Sequence, residues 1–373
     1  MLPIDLPTME QFKQLSQARA DACVSIYLET DPLTQKTDAA RIELGNLLKA
    51  ACQQLIEAGF DRNRLAAIQA PIEDLIDDDE FWRFQANSLA LLTTPDRLLT
   101  FRLANQLRSQ VEVSDRFHLK PLLRAIIFPH AAFVLALSEN DARLLEVLPS
   151  GPPVAVKVPG MPRDAASAAG KASINDRSPS GRIHGSEGKK VRLAQYARKV
   201  DAALRPILVG QPLPLLLAAT EPLASIYRQV DTSLGLAAET IPGNPDRITD
   251  LDLAAAARGV LDRLYAAEVA DFRDLFATRA AQRRTTTDLA LAARAVTQGA
   301  VDSLLVDIDE VIPGTVDETS GAIVFADGPG KDSYGIVDEI AGRALATGAR
   351  VLAVRKSDIP DAANLAAILR YPL

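Results

Sequence analysis

Lysines and arginines gather in one stretch of a chain that is otherwise acidic. Between residues 171 and 199 stand Lys171, Arg177, Arg182, Lys189, Lys190, Arg192, Arg198 and Lys199, against only Asp176 and Glu187. The stretch carries a net +6, while the whole chain of 373 residues carries −7. The chemistry open to such a strip is neutralisation of phosphate: cations laid beside a polyanion release its condensed counterions, and RNA is the most economical partner. His184 lies within the strip and joins the candidate RNA-contacting residues. Because acids dominate elsewhere, the asymmetry points to one localised contact rather than a generally adhesive surface. Tyr196 is the strip's only aromatic residue, which speaks against stacking on single-stranded bases. The plainer alternative is a solvated basic loop that only keeps the chain soluble.

Other chemistries find no matching constellation. The histidines are His118, His130 and His184, with no C-x-x-C or H-x-x-x-H spacing, so no metal is expected. His118 and His130 read as ordinary boundary or loop residues. In "DGPGKDSYG" (327–335), Phe325 occupies the place of the first phosphate-loop glycine and Asp332 follows the lysine. Ser333 likewise replaces the third glycine of G-x-G-x-x-G, which leaves a plain strand-to-helix turn. "GSEG" (185–188) is one residue short of a nucleophile elbow and has no strand before it. "DDDE" (77–80) reads as a solvated acidic turn. No nucleophile, base and orienting group assemble, so no catalytic residues and no cofactor are expected.

The elements that must position the strip follow from periodicity. "ACVSIYLET" (22–30) is rich in β-formers and predicts a strand. Residues 38–59 predict a helix with Ile42, Leu44, Leu47, Leu48, Leu55 and Ile56 as its apolar positions, closed by Gly59. Hairpins are expected over 88–103, turning at Thr94-Pro95-Asp96, and over 131–148, turning at Glu139-Asn140-Asp141. Residues 159–189 are rich in Gly, Pro, Ser and Ala, a long loop of the kind that is functional or disordered. A helix then begins, with Leu193, Ala197, Val200 and Leu204 on one face and Arg192, Gln195 and Lys199 on another. "LPLLLAAT" (213–220) reads as a buried strand, and "EPLASIYRQV" as the start of a helix with Pro222 near its first turn. A long Ala-rich helix over 250–286 leads to a β/α rhythm. There, strands at 301–307, 321–327 and 350–355 alternate with helices that close at Gly299 and Gly348.

Length and composition suit a multidomain globular chain: 48% hydrophobic and 24% charged residues, and no run approaching a membrane span. The opening "MLPIDLPTMEQF" carries acids and prolines where a secretory signal would be basic, then apolar, so none is expected. With only Cys23 and Cys52, a reducing cytoplasm is the expected compartment. Three segments are expected: an N-terminal α/β domain over 1–125, a central domain over 126–286 with the basic loop 159–189 and a bridging helix, and a C-terminal α/β domain over 287–373.

The order of several motifs resembles a known superfamily. "GRIHGSEGKKVRLAQYARKVDAAL" is similar to the central-domain segment of archaeo-eukaryotic class-1 release factors and Pelota, where a glycine-rich loop opens a basic helix. "GAVDSLLVD", "ATGARVLAV" and the terminal "AAILRY" resemble their C-terminal domain. "VSIYLET", "TTPDRLLTFRL" and "FHLKPLL" are similar to the bacterial archaeo-eukaryotic release-factor-like branch. The resemblance implies an α/β chain of three domains, the central one RNase H-like and the last similar to kink-turn-binding ribosomal proteins. It further implies binding to rRNA in the ribosomal A site, with a translational GTPase held through the C-terminal domain, and no membrane. Release factors place Gly-Gly-Gln at peptidyl-tRNA; the corresponding place here reads His184, Gly185, Ser186, Glu187, and no Gly-Gly-Gln occurs. The Asn-Ile-Lys-Ser element associated with stop-codon reading is absent as well. The expected work is therefore binding (rescue, hibernation or stalling surveillance) without peptide release. Two alternatives remain open. One is a metal-dependent nuclease or other hydrolase on the RNase H-like domain, for which Asp141, Glu146 and Asp164 are the available acids. The other is a protein-binding adaptor.

Overall fold

Alternating β-formers at the N-terminal end build one sheet. The computed structural model describes residues 4–372 except 33–36, 129, 150, 169–185, 212, 233–234 and 329–332. After α1 (Met9–Gln17), strands β1 (Cys23–Glu29), β2 (Ser88–Thr94), β3 (Arg97–Leu103) and β4 (Gln110–Ser114) form an antiparallel sheet in the order β3-β2-β1-β4. Residues two apart along β1 share a face. Val24, Ile26 and Leu28 pack with Leu44, Leu48 and Leu55 of α2 (Thr37–Glu57) and with Ile68 and Ile72 of α3 (Arg62–Asp77). Ile42 and Ile56, expected in the buried stripe of α2, are exposed instead. The expected acidic turn does local work: Asp78 caps the short α4 (Asp79–Trp82) by accepting from Glu80 N and Phe81 N. α5 (Lys120–Ile127) follows the sheet.

The central segment carries the sheet that matters most for the basic strip. β5 (Ala132–Leu137) and β6 (Ala142–Val147) form the expected hairpin, and β7 (Val154–Val156), β8 (Leu215–Ala218) and β9 (Leu236–Ile241) complete a sheet in the order β7-β6-β5-β8-β9. β6 runs antiparallel to both neighbours, while β5, β8 and β9 run parallel. With strands counted from β5, this is order 3-2-1-4-5 with only the second strand reversed, the arrangement of an RNase H-like fold. Three helices introduced by chain order, α6 (Ala165–Ala168), α7 (Ser186–Leu208) and α8 (Leu223–Val230), precede the long α9 (Asp250–Ala280). Leu253, Ala254, Ala257 and Val260 of α9 cover one face of the sheet at Val134, Ala136, Leu145 and Leu216. The alternate residues Phe133, Leu135 and Leu217 are equally buried on the other face.

The last segment places β10 (Thr285–Thr286), α10 (Leu289–Thr297), β11 (Val301–Asp307), β12 (Pro313–Val316), β13 (Ile323–Phe325), β14 (Tyr334–Gly335), α11 (Ile336–Ala346), β15 (Arg350–Val354) and β16 (Leu365–Leu369). Its main sheet, β10-β16-β11-β15, is mixed: β15 lies parallel to β11, and β16 antiparallel. The strand expected at 321–327 instead joins a separate sheet, β13-β12-β14. Gly299 and Gly348 close α10 and α11 at φ +67° and +78°, the left-handed conformation that the sequence reading required.

By its contacts the chain divides into two compact units, 130–265 and the combination of 2–129 with 266–373. Residues 1–125 and 287–373 keep a sheet each yet share one hydrophobic core. Phe12, Leu15, Leu119, Leu122 and Leu123 cluster there with Ala292, Val296, Leu304, Ile340 and Leu345. Among the described residues no helix is long and apolar enough to cross a membrane.

Candidate nucleic-acid interface

α7 is amphipathic in a way that separates structure from charge. Leu193, Tyr196, Ala197, Val200 and Leu204 are at most 2% exposed, on one stripe at helical spacing. The opposite face carries Arg192, Gln195, Arg198 and Lys199, all exposed, and Lys189 and Lys190 are exposed near the start of the helix. Cations at a helix N-terminus oppose its dipole, so this arrangement costs the helix stability rather than supplying it. That cost makes sense when the charge serves something outside the helix.

The cations differ in what holds them. Lys190 and Arg198 have no hydrogen bond or ion pair among the described residues, and Arg192 Nε donates only to Gly188 O one turn back, at 3.3 Å. Lys199 Nζ donates to Ala168 O at 2.7 Å, the last carbonyl of α6, which anchors it at the edge of the face. Lys189 is the exception: its Nζ lies 2.7 Å from Glu139 Oε1, in the turn between β5 and β6. Lys171, Arg177, Arg182, His184 and Gly185 lie outside the described residues. Ser186 and Glu187 begin α7, with their side chains undescribed. Tyr196, the only aromatic residue of the strip, is fully buried with its hydroxyl unpaired among the described residues, and burial pushes that hydroxyl's pKa up, Asp141, Asp164 and Asp246 adding to it. It offers no ring to a base. The exposed face therefore presents charge and an amide, suited to phosphate contact without base readout.

The acids a nuclease would need are already employed. Asp141 pairs with Arg143 at 2.8 Å, Asp164 accepts from Ser167 N at 2.6 Å, and Glu146 is 1% exposed within β6. Among the described residues no group of three metal-ligating side chains comes together. Both thiols are free. Burial, with Asp115 adding to it, pushes Cys23 up to about 12, and burial with Glu73 beside it raises Cys52, so neither is primed as a nucleophile.

A second charged cluster, in the other unit, is one that sequence reasoning missed. His118 is buried, and its Nδ1 lies 2.5 Å from Asp338 Oδ2. α5 begins at Leu119 with no side-chain cap of its own, and Asp338 supplies one from α11: its Oδ1 accepts from Leu119 N at 2.7 Å and Lys120 N at 2.9 Å. Burial works against the Asp338 charge, yet His118, Lys120 and the Leu119 N–H together hold its carboxyl below the ordinary carboxylate value. Lys120, 1% exposed, donates to Asp307 O at 2.8 Å and to Glu310 O, while burial draws its ammonium downward against the neighbouring acids. Beside it, Glu339 takes Arg19 at 3.1 Å, Arg116 at 2.5 Å and Arg343 at 2.8 Å, and Arg116 also lies 3.5 Å above the Tyr334 ring. The cavity at this cluster, about 20 Å³, holds a water and nothing larger. Its chemistry is structural. No sequence signal announces it, because its partners lie as far apart as positions 118 and 338.

Comparison with known proteins agrees with the motif of the central segment. Residues 129–267 match the profile described as bacterial archaeo-eukaryotic release factor family 11. No curated protein matches the sequence. Among solved structures, Saccharomyces cerevisiae Dom34, described as a translation termination-like factor that interacts with Hbs1, is 14% identical with TM-score 0.41, covering 74% of each chain. Ribosome-bound archaeal Pelota with ABCE1 is 12% identical with TM-score 0.39 over 99% of this chain and 96% of that one. The archaeal termination factor aRF1 is 14% identical with TM-score 0.25 over 97% and 96%.

Proposed function

We propose, from the match of residues 129–267 to the profile of bacterial archaeo-eukaryotic release factor family 11, that this chain is a cytoplasmic translation factor that binds the ribosome. It acts in the A site by occupancy, in rescue, hibernation or stalling surveillance. One observation carries the reading: inside the matched segment, α7 turns Lys190, Arg192 and Arg198 to solvent with no acid partner among the described residues. Exposed, unneutralised cations on a rigid helix suit the phosphate backbone of folded rRNA. Binding of this kind positions without reading sequence, which agrees with the buried Tyr196. Peptide release is not part of the reading, since the chain has no Gly-Gly-Gln. The C-terminal segment 287–373 is the part to which a translational GTPase would dock.

The test is co-sedimentation of the full chain with ribosomes across a salt series. Binding is expected to weaken steeply with salt and to fall at least about 100-fold in the triple variant Lys190→Glu, Arg192→Glu, Arg198→Glu, because each lost phosphate contact removes up to about 0.9 from the salt slope and each new carboxylate repels. Co-sedimentation indifferent to the triple variant overturns the role of α7. A lysate pull-down with and without ribonuclease separates RNA-mediated from protein-mediated partners.

A further inference from the structure

One cation of the basic face is not available to a partner in the structure as it stands. Lys189 Nζ is held at 2.7 Å by Glu139. The turn that carries Glu139 is firmly built: Ser138 Oγ accepts from Asn140 N at 3.0 Å and Asp141 N at 2.9 Å, and Glu139 O accepts from Ala165 N at 2.9 Å. The nearby carboxylates have other duties. Asp141 is held by Arg143, Asp164 by the Ser167 N–H, and Asp246 by Asn140 Nδ2 at 2.8 Å. Of these four acids, Glu139 alone is paired with a cation of α7. Both members remain well exposed, 55% for the lysine side chain and 43% for the glutamate. An exposed pair of this kind contributes little to folding, so stability alone does not account for a glutamate placed there.

We propose that Glu139 stands in for phosphate: in the unbound protein its carboxylate occupies Lys189, and a phosphodiester of structured RNA engages α7 by exchanging with it. The exchange deepens the ribosome-binding reading and rests on it. Two physical features support it. A lysine in the first turn of a helix is repelled by the helix dipole, and Glu139 offsets that repulsion until a phosphate takes over the same task. The pair's solvent exposure keeps the cost of breaking it small, so the carboxylate can yield to a stronger anion with several acceptor oxygens. The consequence is a threshold: isolated anions meet a neutralised Lys189, while a polyanion already anchored at Lys190, Arg192 and Arg198 can displace the carboxylate.

The test uses the full chain and a 20-base-pair RNA duplex as probe, with affinity measured by fluorescence anisotropy between about 50 and 200 mM salt, a range over which phosphate contacts are read directly from the slope. Glu139→Gln keeps the side chain's shape and frees Lys189. It is expected to tighten binding by about 3- to 8-fold near 0.1 M salt with the salt slope little changed, because the wild-type chain makes the same phosphate contact once its carboxylate has yielded. The deciding comparison is the same substitution in a Lys189→Gln background, where the gain is expected to disappear. An equal gain in both backgrounds would show a general field effect of removing one acid and would overturn the exchange, as would no gain in the wild-type background. A wild-type chain that fails to bind the duplex at 50 mM salt overturns the RNA reading, and the exchange with it. Binding that persists without coupling overturns the exchange alone. Thermal unfolding of Glu139→Gln is expected to match wild type, which confirms that the pair is not a folding contact.

Discussion

Two groups of basic residues in this chain meet opposite fates. Around Glu339, Arg19, Arg116 and Arg343 converge on one carboxylate, and Arg116 is shared further with Asp115 and the Tyr334 ring. On α7, Lys190 and Arg198 meet no acid at all among the described residues, and Arg192 meets only a carbonyl of its own helix. The residue types are alike; the difference is whether the fold supplies the countercharge. Where it does, a buried carboxylate gathers partly exposed cations and ties two distant stretches of chain together. Where it does not, they remain solvated and free to take their countercharge from a partner. A cation's role is thus read from its neighbours rather than from its identity.

The comparison can be broken most forcefully at Asp338. Asp338→Ala removes the cap of α5 and leaves His118 and Lys120 buried without their carboxylate. Chemical denaturation is expected to show a loss of about 3–5 kcal/mol, the usual cost of stranding one member of a buried pair. The same residue gives a pH signature. Its carboxyl is held below the ordinary value in the folded state, so its contribution is complete above the unfolded value and drains away as pH falls through the folded one. Asp338→Asn should flatten that part of the acid limb, and an unchanged limb would contradict the role given to it. Next in size, Glu339→Gln leaves three arginines with a neutral partner and should cost about 2–3 kcal/mol by the same measurement. Reversing Lys190, Arg192 and Arg198 should instead leave unfolding within about 0.5 kcal/mol of wild type, as expected of solvated surface charge, while abolishing salt-sensitive ribosome binding. A large stability loss there would erase the contrast between the two groups. Smallest of all, Tyr196→Phe deletes an unpaired buried hydroxyl and should be neutral or slightly stabilising, by up to about 1 kcal/mol. RNA affinity should not change, because the ring cannot reach a base.

What was legible in the sequence was what local spacing dictates. The β-formers of "VSIYLET", the alternation in "AAFVLALSENDARLLEVL", and the four- and three-residue spacing of Leu193, Ala197, Val200 and Leu204 placed strands, hairpins and the basic helix where they stand. A net +6 within 29 residues marked the strip without any structure. Local pattern also had limits. It put Ile42 and Ile56 on a buried stripe because it counts hydrophobicity and not which neighbours arrive, and it passed over β16 and β12 because short strands gain their definition from partners.

The sequence by itself determined the long periodic elements, the buried stripe of α7 and where positive charge accumulates, since these depend on residues a few positions apart. Tertiary structure alone decided which charges would be satisfied. It brought Asp338 to the start of α5, gathered three arginines on Glu339, buried Tyr196 beneath its own helix, and set Glu139 against Lys189 while leaving Lys190 and Arg198 to solvent. The physical reason is range: propensity and periodicity act along the chain, whereas desolvation and ion pairing act through space, between residues whose proximity exists only once the chain has folded.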